Sequence, residues 1–352
     1  NRAAPAPPGS FVPSSGEQMD GFAKYLVRRF FQFILVVFLG VSLTFLITNL
    51  SPVDPVEQTV SLMTNFGATD PRSVELMREA LAELYGLKGS FLDQYLAFWG
   101  RVLRGDFGPS LSSFPTPVMS LIMGALPWTI GLLTLAVIIT WILGNLLGAL
   151  AGYFRSNIPL KLAGAAVMAL HPVPAYITGL VLLLIFGYAW PILPISGGAQ
   201  MNLQPGLTLE YLRSLVLHGT LPALTLVLVG IGGWFISMRS LVSNIVTDDH
   251  VVYAELGGVS SGTIFSQYVA RNALLPQVTG LALSLGGVFG GAVITEFLFN
   301  YPGMGRLLVQ GIYRGDYSLV LGVTTMSIIA VAIAVFVIDL VYPLIDPRVR
   351  LG

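Results

Sequence analysis

The sequence predicts an all-α membrane protein with six transmembrane helices, and two observations support that prediction. Hydrophobic residues make up 54% of the 352 residues and charged residues only 10%, whereas soluble proteins carry about 25% charged residues. The mean hydropathy is accordingly +0.78. The charged residues also leave six long stretches free, and each stretch holds an apolar run of about 20 residues, the length that an α-helix needs to cross a bilayer.

The third charge-free stretch is long enough for two spans. Pro191, Pro194 and Pro205 interrupt its second half, which is therefore predicted to be a loop. Prolines and glycines also fall inside the spans, where they permit kinks and close helix packing. The six predicted spans are residues 30–49, 126–153, 162–190, 215–238, 272–295 and 317–338.

Lysine and arginine predict the orientation of these spans, because they accumulate in short cytoplasmic loops. With the N-terminus in the cytoplasm, the short outer loops hold only three of them, Arg213, Arg306 and Arg314. Both termini are therefore predicted to be cytoplasmic. The inner side then holds ten: Arg2, Lys24, Arg28, Arg29, Arg155, Lys161, Arg239, Arg271, Arg348 and Arg350.

The membrane domain is predicted to cover residues 24–350. One segment before it and one segment within it are predicted to lie outside the spans. Residues 1–23 are predicted to be a disordered tail, since their first part is rich in Pro, Ala and Ser. Residues 51–125 are predicted to be an extracytoplasmic helical segment that docks an external partner, or packs on the bundle or on lipid headgroups. Asp70-Pro71 is a typical helix start. Apolar residues then recur at helical spacing in two stripes: Val74, Met77, Leu81 and Leu84, then Phe91, Tyr95, Trp99 and Leu103.

The sequence offers little of the chemistry that an enzyme needs. The absence of cysteine excludes disulfides, Cys-ligated zinc and thiol catalysis. The three histidines, His171, His218 and His250, lie far apart, and no lysine follows a glycine, so neither an H-E-x-x-H zinc motif nor a phosphate-binding loop is present. No catalytic residue, cofactor site or metal site is predicted, and any ATP is expected to bind another subunit. The 18 basic and 18 acidic residues give no basic excess for nucleic acid.

The ionisable residues also bear on the class of transporter. Ion-coupled carriers usually place Asp, Glu, His or Lys at mid-membrane, whereas Glu296 and Asp339 fall at the ends of predicted spans, where water or headgroups are expected to reach them. A stand-alone secondary transporter or channel remains the alternative, since broken helices can bind ions through backbone carbonyls. An intramembrane enzyme would need clustered His, Asp or Ser–Lys groups in the spans, which the sequence lacks.

Residues 239–271 form the one long inner loop, which is the most informative part of the sequence. Asp248 and Asp249 can cap a short helix, and Gly257-Gly258 is predicted to end it. Such a helix–turn–helix makes a compact projection that can dock on a soluble partner. Apolar residues lie on both sides of the glycine pair: Val252, Tyr253 and Leu256 before it, and Ile264, Phe265 and Tyr268 between it and Pro276.

The loop resembles the EAA coupling motif in permease subunits of binding-protein-dependent ABC importers, and specifically their dipeptide and oligopeptide class. The class pattern is close to D-Y-V-x-x-A-x-x-K-G-L-S followed by R-N-A-L-L-P. This chain matches it at Asp249, Val251, Ala254, Gly258 and Ser260, and then at residues 271–276. Further stretches resemble the same class, so that the resemblance covers roughly residues 24–350: 50–55, 104–111, 171–186, 290–308 and 346–350.

The resemblance implies a subunit that pairs with a second homologous permease in the prokaryotic cytoplasmic membrane. Two ATPase subunits, which would hold ATP and Mg²⁺, are expected on the cytoplasmic side. An extracytoplasmic substrate-binding protein is expected to dock over residues 51–125 and the loops after spans three and five. Peptides are the expected cargo, with oligosaccharides or nickel chelates as alternatives. No cofactor in this chain and no nucleic-acid partner are implied.

The resemblance also implies that closure of the ATPases moves residues 249–263 and rocks the spans between inward-facing and outward-facing states. This loop departs from the class pattern at His250, Glu255 and Gly257, where Tyr, a basic residue and Lys are usual, so a more basic ATPase groove is expected. The implied coupling residues are Asp249, Tyr253, Ala254, Glu255, Gly257, Gly258, Ser260, Arg271, Asn272 and Pro276.

Overall fold

The computed structural model describes residues 15–345, apart from 51–55, 58–59, 62–69, 85 and 87–88. All regular secondary structure in that part of the chain is helical, which confirms the all-α class. The α-helices are α1 (Ser15–Asn49), α2 (Pro71–Leu84), α3 (Phe91–Arg104), α4 (Val118–Tyr153), α5 (Ile158–Leu170), α6 (Ala175–Leu183), α7 (Leu209–Ile245), α8 (Asp249–Leu256), α9 (Ser261–Thr263), α10 (Arg271–Gly287), α11 (Val293–Leu298), α12 (Met304–Arg314) and α13 (Tyr317–Ile345).

Within the described residues, five helical stretches are long and apolar enough to cross a membrane. They belong to α1, α4, α7, α10 with the turns that flank it, and α13. A sixth span is present if the bent pair of α5 and α6 counts as one. These helices give a multi-pass membrane protein. The cytoplasmic position of the termini and the extracytoplasmic position of residues 51–125 stay predictions.

The third span, predicted over residues 162–190 with prolines that permit a kink, is a helix broken into two parts. The chain bends by 107° between α5 and the helix that runs from α6 to Ala189. Pro172 and Pro174 lie at this break, and Pro174 is the N-cap of α6. Proline lacks the backbone N–H and disfavours helical backbone in the residue before it, so the α-helix ends and restarts here.

The fifth span, predicted over residues 272–295, is interrupted as well. Helix α10 ends at Gly287, a 3₁₀ turn covers Val288–Gly290, and the short helix α11 begins only at Val293. Gly291 between them has a φ of +76°, which side-chain-bearing residues rarely adopt. The glycines that the sequence places here therefore end the long helix at Gly287 and separate it from α11.

The packing of α4 against α7 forms the centre of the bundle, and a stripe of glycines makes it close. Gly144, Gly148 and Gly152 recur every fourth residue on α4 and lie against the backbone of α7. A Cβ atom at Gly148 would lie 2.6 Å from the carbonyl oxygen of Phe235 and 3.0 Å from the Cβ of Met238. Small residues at this spacing let two membrane helices approach until their backbones touch.

Helix α1 packs along α13 at the edge of the bundle. The rings of Phe33 and Phe336 stack at 5.2 Å, and Arg29 forms a salt bridge of 3.1 Å with Asp339. Asp339 thus lies near the end of the sixth span, as the sequence predicts. Helix α1 itself begins at Ser15, within the tail 1–23 that is predicted to be disordered, and residues 1–14 of that tail lie outside the described residues.

Both amphipathic helices predicted within residues 51–125 are present as α2 and α3. Ser90 caps α3, because its hydroxyl oxygen accepts a hydrogen bond from the backbone N–H of Asp93 at 3.3 Å. In return, the Asp93 carboxylate accepts from the hydroxyl and the backbone N–H of Ser90 at 2.7 and 2.9 Å. The hydroxyl bond is the main reason why the pKa of Asp93 lies below its usual value. Gly105, with a φ of +67°, ends the helix. The buried carboxylate of Asp316 joins this segment to the start of α13, because it accepts hydrogen bonds from Ser110 and Ser112.

Candidate functional site

Helix α8 has one face buried against the bundle and one face exposed to the surroundings. Val251 and Ala254 pack on residues of α7 and on the turn that follows α9. On the opposite face Tyr253 is 73% exposed and Leu256 is 79% exposed. Asp248 is the N-cap as predicted, although its side chain makes no capping hydrogen bond. The buried residues of this short helix therefore attach it to the bundle, and its exposed residues present apolar surface.

Gly258 ends α8 in the manner that the sequence predicts for the glycine pair. Its φ is +74°. The N–H of Gly258 donates to the carbonyl of Glu255 at 3.0 Å, and the N–H of Val259 donates to that of Ala254 at 3.1 Å. This pair of bonds is the Schellman motif, which requires a left-handed residue at the position of Gly258. Gly257 has an ordinary φ of −75°, so only the second glycine is needed for this turn.

The segment that follows α8 is held on the bundle by an aromatic cluster that the sequence reasoning missed. The Tyr153 and Phe265 rings lie 5.2 Å apart, and Phe154 completes the cluster. The Tyr153 hydroxyl also lies 3.1 Å from the Ser261 hydroxyl and 3.2 Å from its carbonyl oxygen. Residues 249–263 are therefore attached to the end of α4 as well as to α7. The signal for this contact was the Tyr-Phe pair at the end of the second predicted span.

The second half of the motif lies on a different element from the first. Ser260 is the N-cap of α9 and accepts a hydrogen bond from Thr263. A π-helical turn, Ile264–Ala270, then leads into α10, on which Arg271, Asn272 and Pro276 are all exposed. Asn272 donates from its side chain to the Tyr268 carbonyl at 2.7 Å. The structure therefore brings Asp249, Tyr253, Glu255, Gly257, Gly258 and Ser260 to one surface segment, buries Ala254 beneath it, and places the other three on the following helix.

The surface of residues 249–263 and its N-cap is acidic. Asp248, Asp249 and Glu255 are exposed, and none of the three forms a salt bridge with a Lys or Arg in the described part of the chain. Asp249 lies in the first turn of α8, where a negative charge interacts favourably with the helix dipole. An uncompensated acidic rim around two exposed apolar side chains suits a partner surface that is basic at its edge and apolar at its centre.

Glu296 is wholly buried, so the expectation that water or headgroups reach it is wrong. The break at Gly291 turns α11 into the protein, and the Glu296 carboxylate meets the N-terminus of α12. It accepts hydrogen bonds from the N–H of Gly305 at 2.6 Å and from the Thr129 hydroxyl at 2.8 Å. Thr129 in turn accepts from the N–H of Met304 at 2.8 Å. These bonds join α4, α11 and α12, and the carboxylate serves as a helix cap.

Comparison with known proteins supplies the family. The model of the family described as binding-protein-dependent transport system inner membrane component matches residues 144–351, which is more than half of the chain. The chain belongs to this family. The matched region includes the 239–271 loop, the broken fifth span and the last helix, and the resemblance to dipeptide and oligopeptide importer permeases that the motifs indicate is confirmed.

Individual relatives extend the similarity over nearly the whole permease. This chain is 28% identical over 332 residues to the oligopeptide transport system permease protein AppB of Bacillus subtilis, and the match covers 93% of this chain and 99% of that protein. It is 28% identical over 346 residues to the dipeptide transport system permease protein DppB of Escherichia coli K12, covering 93% and 98%. A putative peptide permease protein of Brucella ovis is 30% identical over 309 residues, covering 88% and 93%.

Proposed function

We propose that this permease forms half of the translocation pathway of an ATP-driven peptide importer, and that residues 249–263 couple it to an ATPase subunit. The observation that carries the coupling role is the pair of exposed side chains, Tyr253 and Leu256, on a helix whose other face is buried against the bundle. Exposed aromatic and aliphatic side chains surrounded by polar groups are typical of the centre of a protein interface.

The packing beneath α8 supports a mechanical role for it. Val251 and Ala254 lie in one cluster with Met238 and Val242 of α7, with Ala149 of α4 and with Ala273 of α10. A displacement of residues 249–263 by a moving ATPase would therefore be passed to three spans. The breaks between α5 and α6 and at Gly291 are places where the bundle can change shape, as a transporter that alternates between two states requires.

The remaining parts of the importer are proposed from the family and from the relatives' names. A second homologous permease completes the pathway, two ATPases hold ATP and Mg²⁺, and an extracytoplasmic substrate-binding protein docks over residues 51–125 and the loops after spans three and five. Hydrolysis takes place on the ATPases, and this chain needs no cofactor of its own. Peptides are the proposed cargo because the relatives are named as peptide permeases. The membrane is the prokaryotic cytoplasmic membrane.

The proposed orientation predicts that Ser261 faces the cytoplasm. The permease has no cysteine, so a single Ser261→Cys substitution gives a unique label site, and Ser261 is exposed. A membrane-impermeant thiol reagent is expected to leave this cysteine unlabelled in intact cells and to label it in inside-out vesicles. Arg104→Cys, at an exposed polar position in the predicted extracytoplasmic segment, serves as a control for reagent access from outside. Labelling of Ser261→Cys in intact cells would contradict the orientation.

The coupling role predicts a loss of ATPase binding when the exposed pair is truncated. Tyr253→Ala with Leu256→Ala should lower retention of the ATPases during purification, and uptake of labelled peptide, by roughly tenfold or more, since truncating one central interface residue costs about 2 kcal/mol. Both side chains are exposed in the permease, so its own level in the membrane should not change. Tyr188→Ala, at a tyrosine of similar exposure in the third span, should retain the ATPases fully. Full retention by the double variant would overturn the coupling role, and uptake without any ATPase would favour a stand-alone transporter.

A further inference from the structure

Helix α3 carries an apolar face that is only partly covered by the rest of the described chain. Leu92, Leu96, Trp99 and Leu103 recur at spacings of four, three and four residues, so they share one face of the helix. Trp99 contacts α1, whereas Leu92, Leu96 and Leu103 are 62%, 61% and 81% exposed. We call these three leucines the leucine stripe. About 100° further round the helix, on a more polar face, lie Asp93, Ala97 and Arg104, which are also exposed.

The contacts between α3 and α1 show which way the leucine stripe faces. Phe45 of α1 is the centre of the contact, with its ring 5.2–5.5 Å from the rings of Phe91, Tyr95 and Phe98. Going from Phe45 toward the middle of α1, the Tyr95 hydroxyl lies 2.6 Å from that of Ser42.

One helical turn further along α1, the rings of Phe38 and Trp99 stack at 5.7 Å. The face of α3 that carries Trp99 and the leucine stripe is therefore turned toward the middle of the first span.

The other flank of α3 is turned toward the end of that span. Arg101 lies with Asp106 and Tyr317 around a small cavity, and the Tyr317 hydroxyl accepts a hydrogen bond from Asn49, the last residue of α1, at 3.2 Å. The flank that faces the middle of the span is thus apolar, and the flank that faces its end is charged. The same change, from acyl chains to polar headgroups and water, occurs across a membrane surface.

We propose that α3 lies in the membrane surface, with the leucine stripe immersed among the acyl chains of the leaflet at the C-terminal end of α1. Helix α1, on which α3 packs, itself exposes apolar side chains at Leu39 and Leu43, and these belong to a transmembrane span. Amphipathic helices bind in this way, with the apolar face in the acyl region and the polar face in water. The capping of α3 by Ser90 and Gly105 fixes its length.

This placement chooses between the two roles that the sequence leaves open for α3. Its apolar face is occupied by lipid, and an external partner meets the polar side of this segment instead. The choice can be tested without knowing the cargo, because it depends only on what surrounds two adjacent positions of one helix.

The test compares neighbouring positions on the two sides of α3 in the full-length permease, purified with the subunits that accompany it and reconstituted into phosphatidylcholine vesicles. Single cysteines at Leu96→Cys and Ala97→Cys are labelled with an environment-sensitive fluorophore, with the accompanying subunits made free of cysteine. All the native side chains involved are exposed, so the substitutions leave the fold intact. Leu103→Cys and Arg104→Cys form a second matched pair.

The expected result is loss of fluorescence with spin-labelled acyl chains, and little loss with aqueous iodide, at the positions of Leu96 and Leu103. Ala97 and Arg104 should show the reverse. Iodide quenching at both leucine positions would place the stripe in water and overturn the proposal. Protection of those positions from both quenchers would place a protein partner on the stripe and would overturn it equally.

Discussion

Gly148→Leu is expected to abolish accumulation of the permease in the membrane. A Cβ at this position would already lie 2.6 Å from the Phe235 carbonyl oxygen and 3.2 Å from the Arg239 nitrogen. Both are backbone atoms of α7, which cannot rotate away as a side chain can, so α4 and α7 would have to separate. Overpacking of a close-packed interior costs about 1–3 kcal/mol where neighbours can adjust, and here the whole central helix pair would lose its contact.

The matched control for this prediction lies on the same helix. Nothing lies within 4 Å of a Cβ at Gly131, so Gly131→Leu should accumulate normally. Gly148→Ala adds only the methyl group, and it should lower the melting temperature of the purified permease, whereas Gly131→Ala should leave it unchanged or raise it. The measurements are the amount of permease in membranes and its thermal unfolding in detergent. Wild-type accumulation and melting temperature of Gly148→Leu would show that the helices do not touch as described.

The predictable part of the fold came from composition and from spacing. The lack of charge in six stretches located the spans, and the apolar spacing in residues 70–103 located α2 and α3. The prolines inside the predicted third span also indicated that it could kink. A proline pattern does not predict how far a chain bends, however, because the 107° turn is set by what α5 and α6 pack against. The four-residue spacing of the glycines on α4 is visible in the sequence. Their close contact with α7 is not, because it depends on which helix packs against them.

The candidate site was predictable where local backbone chemistry decides it. A glycine pair after an amphipathic helix predicts a left-handed C-terminal residue, and Gly258 has that conformation. The burial of Ala254 and the attachment of Ser261 to Tyr153 depend on contacts across more than 100 residues of sequence, which spacing does not reveal. The same limit applies to Glu296: its position near a span end suggested access to water, but it is buried where it accepts hydrogen bonds from the nearby Gly305 and from Thr129, which is distant in sequence.

Gly258→Asp is expected to abolish peptide uptake while leaving the permease in the membrane at nearly its normal level. The left-handed backbone adds a cost of about 1 kcal/mol for a residue with a side chain. Inside the permease there is room for the new side chain, because nothing lies within 4 Å of a Cβ at this position. The larger cost is therefore expected at the proposed ATPase interface, where a carboxylate that loses water without gaining a partner costs several kcal/mol.

Gly258→Asn separates the charge from the backbone effect. Asparagine has nearly the same shape as aspartate, and both residues adopt the left-handed conformation more readily than most, so the two variants should differ mainly in charge. The acidic residues already present, Asp248, Asp249 and Glu255, add repulsion only to the aspartate variant. Gly258→Asn is accordingly expected to retain much of the uptake and most of the bound ATPase. Uptake of labelled peptide and co-purification of the ATPases measure both effects, and normal values of both in Gly258→Asp would show that this surface makes no contact with the ATPase.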